Sequence, residues 1–444
     1  MKRHPRQSAF TIIELVVAIG LTSVLLFLVS RIFFETQQVL TFGIKTSNAL
    51  AHARAIGTQL KTDADAMLGP SNAAGSERGF LVILNGTTNA IVKQPDGTEV
   101  IETIRTDQLV FLRGGGTSAA MFSLTPRRDS SLASDFSSPN AKVWYGHPRR
   151  ANTDGTAGGG LGTGLDTFAN DWVLGRQALL MAPADTATTP QNVVTAGAIY
   201  LNDAGLSGIN AILNNAGGYP DGPTQTADFG FSDMTNLNLP DLANNLALPA
   251  ATDADYLIQT YATRPLRVQT QIDTDVASFA AWQSAQTHPY LAAHISDFIV
   301  EFAADFDFDG EIDTTDDKGT SDTTDDDNTG GVGDPIFWVS GLNAGQVVPS
   351  IDPAGSPAWD AKVAVADLAS AAFGDPGTLH AFVFRVDDDA AFTTAGTPYS
   401  RWPALIRIRY RIHDPQGRLS SFDDASGGPI SGRFFEHILV VPRP

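Results

Sequence analysis

The chain has 444 residues, a formal net charge of -20 and no cysteine, and 43% of its residues are hydrophobic. This length is enough for a membrane anchor together with one large domain or two ordinary ones. The apolar fraction argues against a disordered chain, and the negative charge argues against nucleic acid or anionic lipid as a partner of the globular part. Because no disulfide bond is possible, burial of a core has to hold the fold together.

The N-terminus combines a basic leader, a small residue and a long apolar run. Lys2 and Arg3 precede Ala9, and the run over 10–30 is about the twenty apolar residues that a helix needs to cross a bilayer. Glu14 interrupts this run, and a carboxylate inside a membrane span is costly and indicates a function. A secretory signal peptide would carry its small residues after the apolar core. The basic leader predicts a cytoplasmic N-terminus and an exported remainder.

This segment resembles the class III signal of the type IV pilin and type II secretion pseudopilin superfamily, in the residues Ser8-Ala9-Phe10-Thr11-Ile12-Ile13-Glu14-Leu15. The resemblance implies that a prepilin peptidase cuts between Ala9 and Phe10 and methylates the new N-terminus. Ala9 stands where the family usually has glycine, a departure that we expect to slow cleavage. The resemblance also implies that Glu14 pairs with the N-terminal amine of a neighbouring subunit and fixes the filament register. The alternative is a snorkelling or protonated Glu14 near the membrane face.

Beyond residue 30 the apolar pattern continues as the stripe of an amphipathic helix, up to Gly69 and Pro70, which predict its end. We expect one helix over 10–68, roughly 90 Å long at 1.5 Å per residue. Its half over 10–30 would span the membrane, and its half over 31–69 would pack on the following domain. The stripe has helical spacing and consists of Val39, Phe42, Ala49, Ala53, Ile56, Leu60, Ala64 and Met67.

Short β-type segments separated by Gly, Pro, Asn and Asp follow from residue 79 onward. The predicted strands are 80–84, 90–93, 103–112, 142–145, 172–181, 294–302, 336–339, 380–386, 405–413 and 434–441. Gly-rich loops are expected at 114–116 and 155–164, a short helix at 274–285, and insertions at 114–170 and 187–263. The predicted class is α+β, with the long N-terminal helix packed on a large antiparallel β-rich exported domain over 70–444.

The C-terminal third carries a second resemblance. An alternating strand over 402–410, a turn at 414–417 and a last strand ending in Pro442 look like the end of the J-type minor pseudopilins of type II secretion. Residues 295–302 resemble the strand that precedes the final sheet of these proteins. Any antiparallel sheet could show the same alternation, and the chain is longer than typical members.

Thirteen acidic residues lie between Glu301 and Asp334, against the single Lys318. Within this acidic loop, 303–334, carboxylates occupy positions 1, 3, 5, 9 and 12 around Gly310 at position 6, which fits a calcium loop. The alternative is a solvated acidic loop. The predicted Ca²⁺ ligands are the side chains of Asp305, Asp307, Asp309, Asp313 and Asp316 and the backbone carbonyl of Glu311.

No catalytic signature stands out, since the sequence has no cysteine nucleophile, no His-Glu-x-x-His motif and no Gly-x-Ser-x-Gly elbow. We therefore expect a protein that is not an enzyme. His147 and His437 are expected to be packed or hydrogen-bonded. Trp338, Trp359 and Trp402 could line a glycan groove, but core packing is the favoured interpretation.

The sequence as a whole favours a minor pseudopilin, a structural subunit of a type II secretion-like filament. The expected partners are prepilin peptidase, other pilins or pseudopilins and the inner membrane, with no nucleic acid. We expect a single-pass inner-membrane protein with a cytoplasmic N-terminus and a periplasmic or otherwise extracytoplasmic C-terminal domain. The alternatives are a minor pilin of a type IV pilus and a membrane-anchored, calcium-dependent adhesin or glycan-binding protein.

Overall fold

The computed structural model describes residues 11–69, 79–94, 96–114, 122–124, 136–138, 140–150, 160–181, 234–235, 267–268, 290–304, 312, 336–340, 362–365, 379–385, 402–414, 420–422 and 429–441. These residues form one long α-helix and mainly antiparallel β-sheets, which confirms the α+β class at this level. The chain divides into two compact units, Met1–Ala51 and His52–Pro444. The second unit therefore begins within the helix rather than at residue 70. The helix expected at 274–285 lies outside the described residues.

The helix α1 runs over Ile12–Ala64 and is 53 residues long. Its N-terminal part is long and apolar enough to cross a membrane. The helix ends four residues earlier than the predicted end at Leu68. There the amide of Leu68 donates to the carbonyl of Leu112 at 2.9 Å, and Met67 forms a bridge to Arg113. Backbone pairing of Met67 and Leu68 with residues 112 and 113 thus ends the helix before Gly69.

The amphipathic stripe is buried only from Ala49 onward. Val39 is 70% exposed and Phe42 is 50% exposed, although both continue the helical spacing. The remaining six stripe residues are buried, namely Ala49, Ala53, Ile56, Leu60, Ala64 and Met67.

The strands and short helices follow α1 in chain order. They are β1 (Phe80–Asn85), β2 (Thr87–Lys93), β3 (Glu99–Arg105), β4 (Gln108–Gly114), β5 (Phe122–Leu124), β6 (Phe136–Ser138), β7 (Asn140–Gly146), β8 (Arg149–Arg150), the 3₁₀ helices η1 (Gly164–Asp166) and η2 (Ala169–Asp171), β9 (Val173–Met181), β10 (Met234–Thr235), β11 (Arg267–Val268), β12 (Tyr290–Ala293), β13 (Ile295–Ala303), β14 (Lys362–Val365), β15 (Leu379–Arg385), β16 (Leu405–Ile412), β17 (Ser420–Phe422), β18 (Pro429–Ser431) and β19 (Arg433–Val440).

The main sheet has eight strands in the order β10-β9-β7-β4-β1-β15-β14, with β12 also paired to β9. All of its pairs are antiparallel except the short pair of β10 with β9. Strand β7 lies near its centre, between β4 and β9, although its residues fall within the expected insertion 114–170. Gly114, expected in a loop, is the last residue of β4.

The C-terminal sheet has the order β13-β16-β19 and is antiparallel. Its inner face buries Ile406, Ile408 and Tyr410, with Leu439, His437 and Phe435 opposite them in register. Phe302 of β13 packs edge-on against Phe382 and Phe384 of β15, with ring centroids 4.9 Å apart in both pairs. These aromatic contacts join the C-terminal sheet to the main sheet. The smaller sheets are the hairpin β2–β3 and the pairs β5–β6, β8–β11 and β17–β18.

Three predicted strands differ from those observed. The strand predicted over 103–112 is divided between β3 and β4. At the break the amides of Thr106 and Asp107 donate to the carbonyls of Gly86 and Phe298, and the buried Asp107 carboxylate accepts from the Gly86 amide at 3.1 Å. The strand predicted over 294–302 begins at Ile295, because His294 has φ 61°, a conformation that interrupts regular pairing. The predicted strand at 336–339 is reduced to bridges such as Val339 with Phe302.

Candidate functional site

Glu14 lies in the first turn of α1 and is bonded to Thr11. Its Oε2 accepts hydrogen bonds from the Thr11 amide at 2.9 Å and from Thr11 Oγ1 at 3.0 Å. In return, the Glu14 amide donates to Thr11 Oγ1 at 3.3 Å. This reciprocal arrangement is a capping box, which satisfies amide groups that have no partner within the helix. The Thr-x-x-Glu spacing of this motif is readable in the sequence.

The capping box explains why a polar side chain is tolerated at position 14, but it does not require a charge there. Glutamine serves in the same motif as well as glutamate does. The carboxylate of Glu14 is therefore free to have a second role, and the two roles can be separated by substitution.

The processing residues Ala9 and Phe10 lie outside the described residues.

The end of α1 is fixed to the main sheet by the buried carboxylate of Asp63. Its Oδ1 accepts from Arg113 Nη1 at 2.7 Å and from Arg176 Nη2 at 2.9 Å, and its Oδ2 accepts from Arg176 Nε at 2.6 Å. The Tyr145 hydroxyl also donates to Oδ2. Burial, together with the Asp63 carboxylate, raises the pKa of Tyr145 far above its usual range, so its hydroxyl keeps its proton. Bidentate pairing of this kind fixes direction as well as distance.

A second contact fixes the same part of α1 to the C-terminal sheet. The Tyr410 hydroxyl donates to the carbonyl of Ala53 at 3.2 Å. It lies 2.9 Å from His437 Nε2, from which it therefore accepts. Gly57 allows this approach, because a Cβ at this position would lie 2.3 Å from His437 Cε1. The prediction that His437 is packed or hydrogen-bonded is confirmed.

One arrangement has the composition of a catalytic pair. Ser296 Oγ lies 2.7 Å from His413 Nε2 and 2.9 Å from Asp297 Oδ2. Ser296 is 0% exposed and His413 is 3% exposed, so neither side chain can contact a substrate in this conformation. Ser296 and His413 therefore belong to the core of the domain. This pair could not be predicted from the sequence, because Ser296 and His413 are 117 residues apart in the chain.

The other candidate side chains are packed where the structure describes them. His147 Nδ1 donates to the carbonyl of Val173 at 2.9 Å, and its ring packs edge-on against Trp172. Trp402 is buried, and Trp338 lies under the Arg407 guanidinium at 4.4 Å. Neither tryptophan is placed as an open stacking surface for a glycan. Trp359 lies outside the described residues.

The predicted calcium ligands lie outside the described residues, so calcium binding stays a prediction. Strand β13 ends at Ala303, which agrees with the expectation that a strand precedes the loop. In the part of the chain that the structure describes, no group of three or more His, Asp or Glu side chains could hold a metal ion. The ligands concerned are Asp305, Asp307, Asp309, Glu311, Asp313 and Asp316.

Comparison of the chain with models of protein families, with curated proteins and with solved structures finds no match.

Proposed function

We propose that the chain is a minor pseudopilin, a structural subunit of a type II secretion-like filament. The observation that carries this proposal is the junction of Ala9 and Phe10 in front of a 53-residue helix. Glu14 is the one carboxylate of this helix before Glu35. Prepilin peptidase would cut at the junction, and the new amine at Phe10 would meet the Glu14 carboxylate of a neighbouring subunit in the membrane.

The folded part of the chain supports an architectural role. The end of α1 is tied to the main sheet through Asp63 and to the C-terminal sheet through Tyr410. A subunit that assembles through its N-terminal helix needs its exported domain to be held firmly on that helix. The three-stranded C-terminal sheet supports the J-type assignment. The apolar helix supports an anchor in the inner membrane, with the N-terminus in the cytoplasm and the remainder exported.

Two other functions remain distinct proposals. A minor pilin of a type IV pilus would use the same anchor, whereas a membrane-anchored adhesin or glycan-binding protein would depend on calcium at 305–316.

Calcium should raise the melting temperature of the chain, and the variant with Asp307→Ala and Asp309→Ala should lose this increase. An equal increase in both proteins would place any bound calcium elsewhere.

The first test is the mature N-terminus. Mass spectrometry of the membrane-extracted protein should show loss of residues 1–9 and an N-methylated Phe10. An Ala9→Gly variant should be processed faster, because it restores the residue usual in the resembled family, and an Ala9→Asp variant should stay uncut. A mature chain that starts at Met1, or that is cut after the apolar run, would remove the basis of the proposal.

The second test separates the charge of Glu14 from its capping role. Glu14→Gln keeps the capping box but removes the charge, whereas Thr11→Val keeps the charge but removes the cap, at about 1 kcal/mol of helix stability. Photocrosslinking from the membrane half of α1 to other pseudopilins should be lost in Glu14→Gln and kept in Thr11→Val. The reverse pattern would show that Glu14 acts as a cap and has no role in assembly.

A further inference from the structure

The last strand of the C-terminal sheet has one free edge. In this sheet β16 lies between β13 and β19, so β19 pairs on one side only among the residues that the structure describes. The free edge of a strand presents amide and carbonyl groups that can pair with another strand. Strand β19 is therefore able to bind an extended segment of a second chain.

The hydrogen-bond pattern shows which backbone groups of β19 face this edge. The amide of Val441 donates to the carbonyl of Ala404 at 3.0 Å, on the side of β16. Residues of an antiparallel strand alternate between pairs that are hydrogen-bonded to the neighbouring strand and pairs that are not, so every second residue of β19 directs its backbone away from β16. We name these four outward residues the β19 edge; they are Phe434, Glu436, Ile438 and Val440.

The side chains of the β19 edge form an exposed and mostly apolar surface on the outer face of the sheet. Three of them are apolar and 43–72% exposed, and the exposed Glu436 lies among them. The inner face of β19 is already occupied, because Leu439 is buried there and the His437 ring lies close to Gly57 of α1. An added strand would cover the outer face and leave the inner face unchanged.

The β19 edge is bounded at both ends. Gly432, directly before the strand, has φ 89°, a conformation that glycine adopts readily and a regular strand does not. Pro442, two residues after Val440, has no amide hydrogen and cannot donate to a further pair. The window for pairing is therefore 434–440, roughly 20 Å at 3.4 Å per residue, which fits a short extended segment.

Glu436 determines which kind of segment fits. Arg409 stands opposite Glu436 in β16, but its guanidinium binds Glu301 of β13 at 3.2 Å, as does that of Arg407 at 2.8 Å. In the described part of the chain, the Glu436 carboxylate has no ion pair of its own. Directly opposed side chains of opposite charge stabilise a strand pair, and like charges destabilise it. The added segment should therefore carry Lys or Arg opposite Glu436 and apolar side chains on either side.

A second copy of this chain does not supply the required base. When two β19 strands pair through their free edges, outward residues stand opposite outward residues, and these are three apolar residues and Glu436. Glu436 would meet either an apolar side chain or the same glutamate of the other copy. The one arginine of the strand, Arg433, belongs to the residues that pair with β16. Charge complementarity thus favours a different protein as the occupant.

We propose that the β19 edge binds an extended segment of another protein as an added β-strand. The segment carries Lys or Arg opposite Glu436 and apolar side chains opposite Phe434 and Ile438. Backbone hydrogen bonds supply the affinity of such pairing, and alternate side chains supply its specificity. This inference goes beyond the proposed function and does not depend on it.

The test is the binding of three labelled synthetic peptides to the full chain in detergent, measured by fluorescence anisotropy against protein-free micelles. The base peptide, Val-Thr-Ile-Thr-Lys-Thr-Val, places its Lys opposite Glu436 when it pairs antiparallel to β19 over 434–440. The acid peptide has Glu in place of this Lys. The methylated peptide is the base peptide with N-methyl groups on Ile and Lys, whose amides would face β19.

The base peptide should bind saturably, with a Kd below about 1 mM. The acid peptide should bind at least about 3-fold more weakly, because it sets two like charges opposite each other. The methylated peptide should not bind, since it cannot donate to the carbonyls of the β19 edge.

A charge reversal in the protein separates pairing at β19 from general attraction. Glu436→Lys should reverse the preference, so that the acid peptide binds at least about 3-fold more tightly than the base peptide. Glu99→Lys makes the same change of charge at an exposed position of β3 and, as the matched control, should keep the wild-type preference.

Three results would overturn the proposal. They are a preference that Glu436→Lys leaves unchanged, equal binding of the methylated and base peptides, and no saturable binding of the base peptide up to about 1 mM. If the chain binds no peptide but forms a dimer that Ile438→Lys abolishes, the occupant is a second copy and the proposal is wrong.

Discussion

The buried carboxylate of Asp107 has one partner close in the sequence and others far away. Asp107 accepts from Asn85 Nδ2 at 2.8 Å, from Arg105 Nη2 at 2.6 Å and from the amide of Val300 at 2.8 Å. Burial raises the pKa of Asp107, and Arg105 opposes that rise. The predicted strand over 103–112 includes Asp107. The alternation of apolar and polar residues does not show that the Asp107 carboxylate accepts hydrogen bonds from amides of other segments.

His147 provides a test of stability against pH. Burial lowers the pKa of His147 to about 4, whereas an unfolded histidine has a pKa of about 6.5. The unfolded chain therefore binds the proton first, and the contribution of His147, complete above pH 6.5, is lost as the pH falls towards 4. Urea unfolding at pH 7.5 and pH 5.0 should show a loss of about 2 kcal/mol from this residue.

The variant His147→Gln isolates this contribution. Its loss of stability between pH 7.5 and pH 5.0 should be smaller than that of the wild type by the amount assigned to His147. The comparison cancels the other buried groups, including His413, whose effect has the same sign, and Asp107, whose raised pKa has the opposite sign. Equal losses in wild type and variant would show that His147 takes up its proton without unfolding.

Elements with a strong periodic pattern were predicted well, and their breaks were not. The alternation of β16 and β19, and the helical period of α1 from Ala49 onward, indicate their buried faces without any knowledge of the fold. The break at His294 could not be predicted, because only a few per cent of non-glycine residues adopt a positive φ, although histidine is enriched among them. The capping of α1 by Glu14 was available in the sequence, whereas the pairing of Ser296 with His413 required the tertiary structure.

Gly57 tests how closely α1 approaches β19. In an exposed helix, replacing glycine stabilises by up to about 1 kcal/mol, but a side chain at position 57 would overlap the His437 ring. Gly57→Val should destabilise the domain by about 1–3 kcal/mol, the usual range for overpacking, as measured by urea unfolding. The double variant with His437→Ala should recover at least half of this loss.

Gly43 supplies the matched control on the same helix. A Cβ at this position meets nothing within 4 Å, so Gly43→Val should leave the unfolding of the domain unchanged. If Gly57→Val were as stable as Gly43→Val, the approach of α1 to β19 would be looser than the structure shows.

At the scale of the whole molecule, the sequence located the helix and the β-rich domain but not the boundary between the compact units. Gly69 and Pro70 mark the end of the helix in the sequence, and the domain was therefore expected to begin at residue 70. The second unit begins at His52, because the last turns of α1 supply part of its core. A sequence pattern shows where a helix ends, but it does not show to which core the helix belongs.

The last prediction compares a fragment of residues 52–444 with a fragment of residues 70–444. The shorter fragment lacks Ile56 and Leu60, which are both buried, and burial of two such side chains contributes about 3–6 kcal/mol. It also lacks Asp63, which leaves Arg113 and Arg176 without the carboxylate that they share. This loss is comparable to the whole stability of a typical domain, roughly 5–15 kcal/mol. Fragment 52–444 should therefore unfold cooperatively in urea without detergent, and fragment 70–444 should not. An Asp63→Asn variant of the longer fragment should lie between the two, because it keeps the apolar contacts but loses the charge and one of the two oxygens that accept from Arg113, Arg176 and Tyr145. Equal unfolding midpoints for the two fragments would show that the end of α1 is not part of the core.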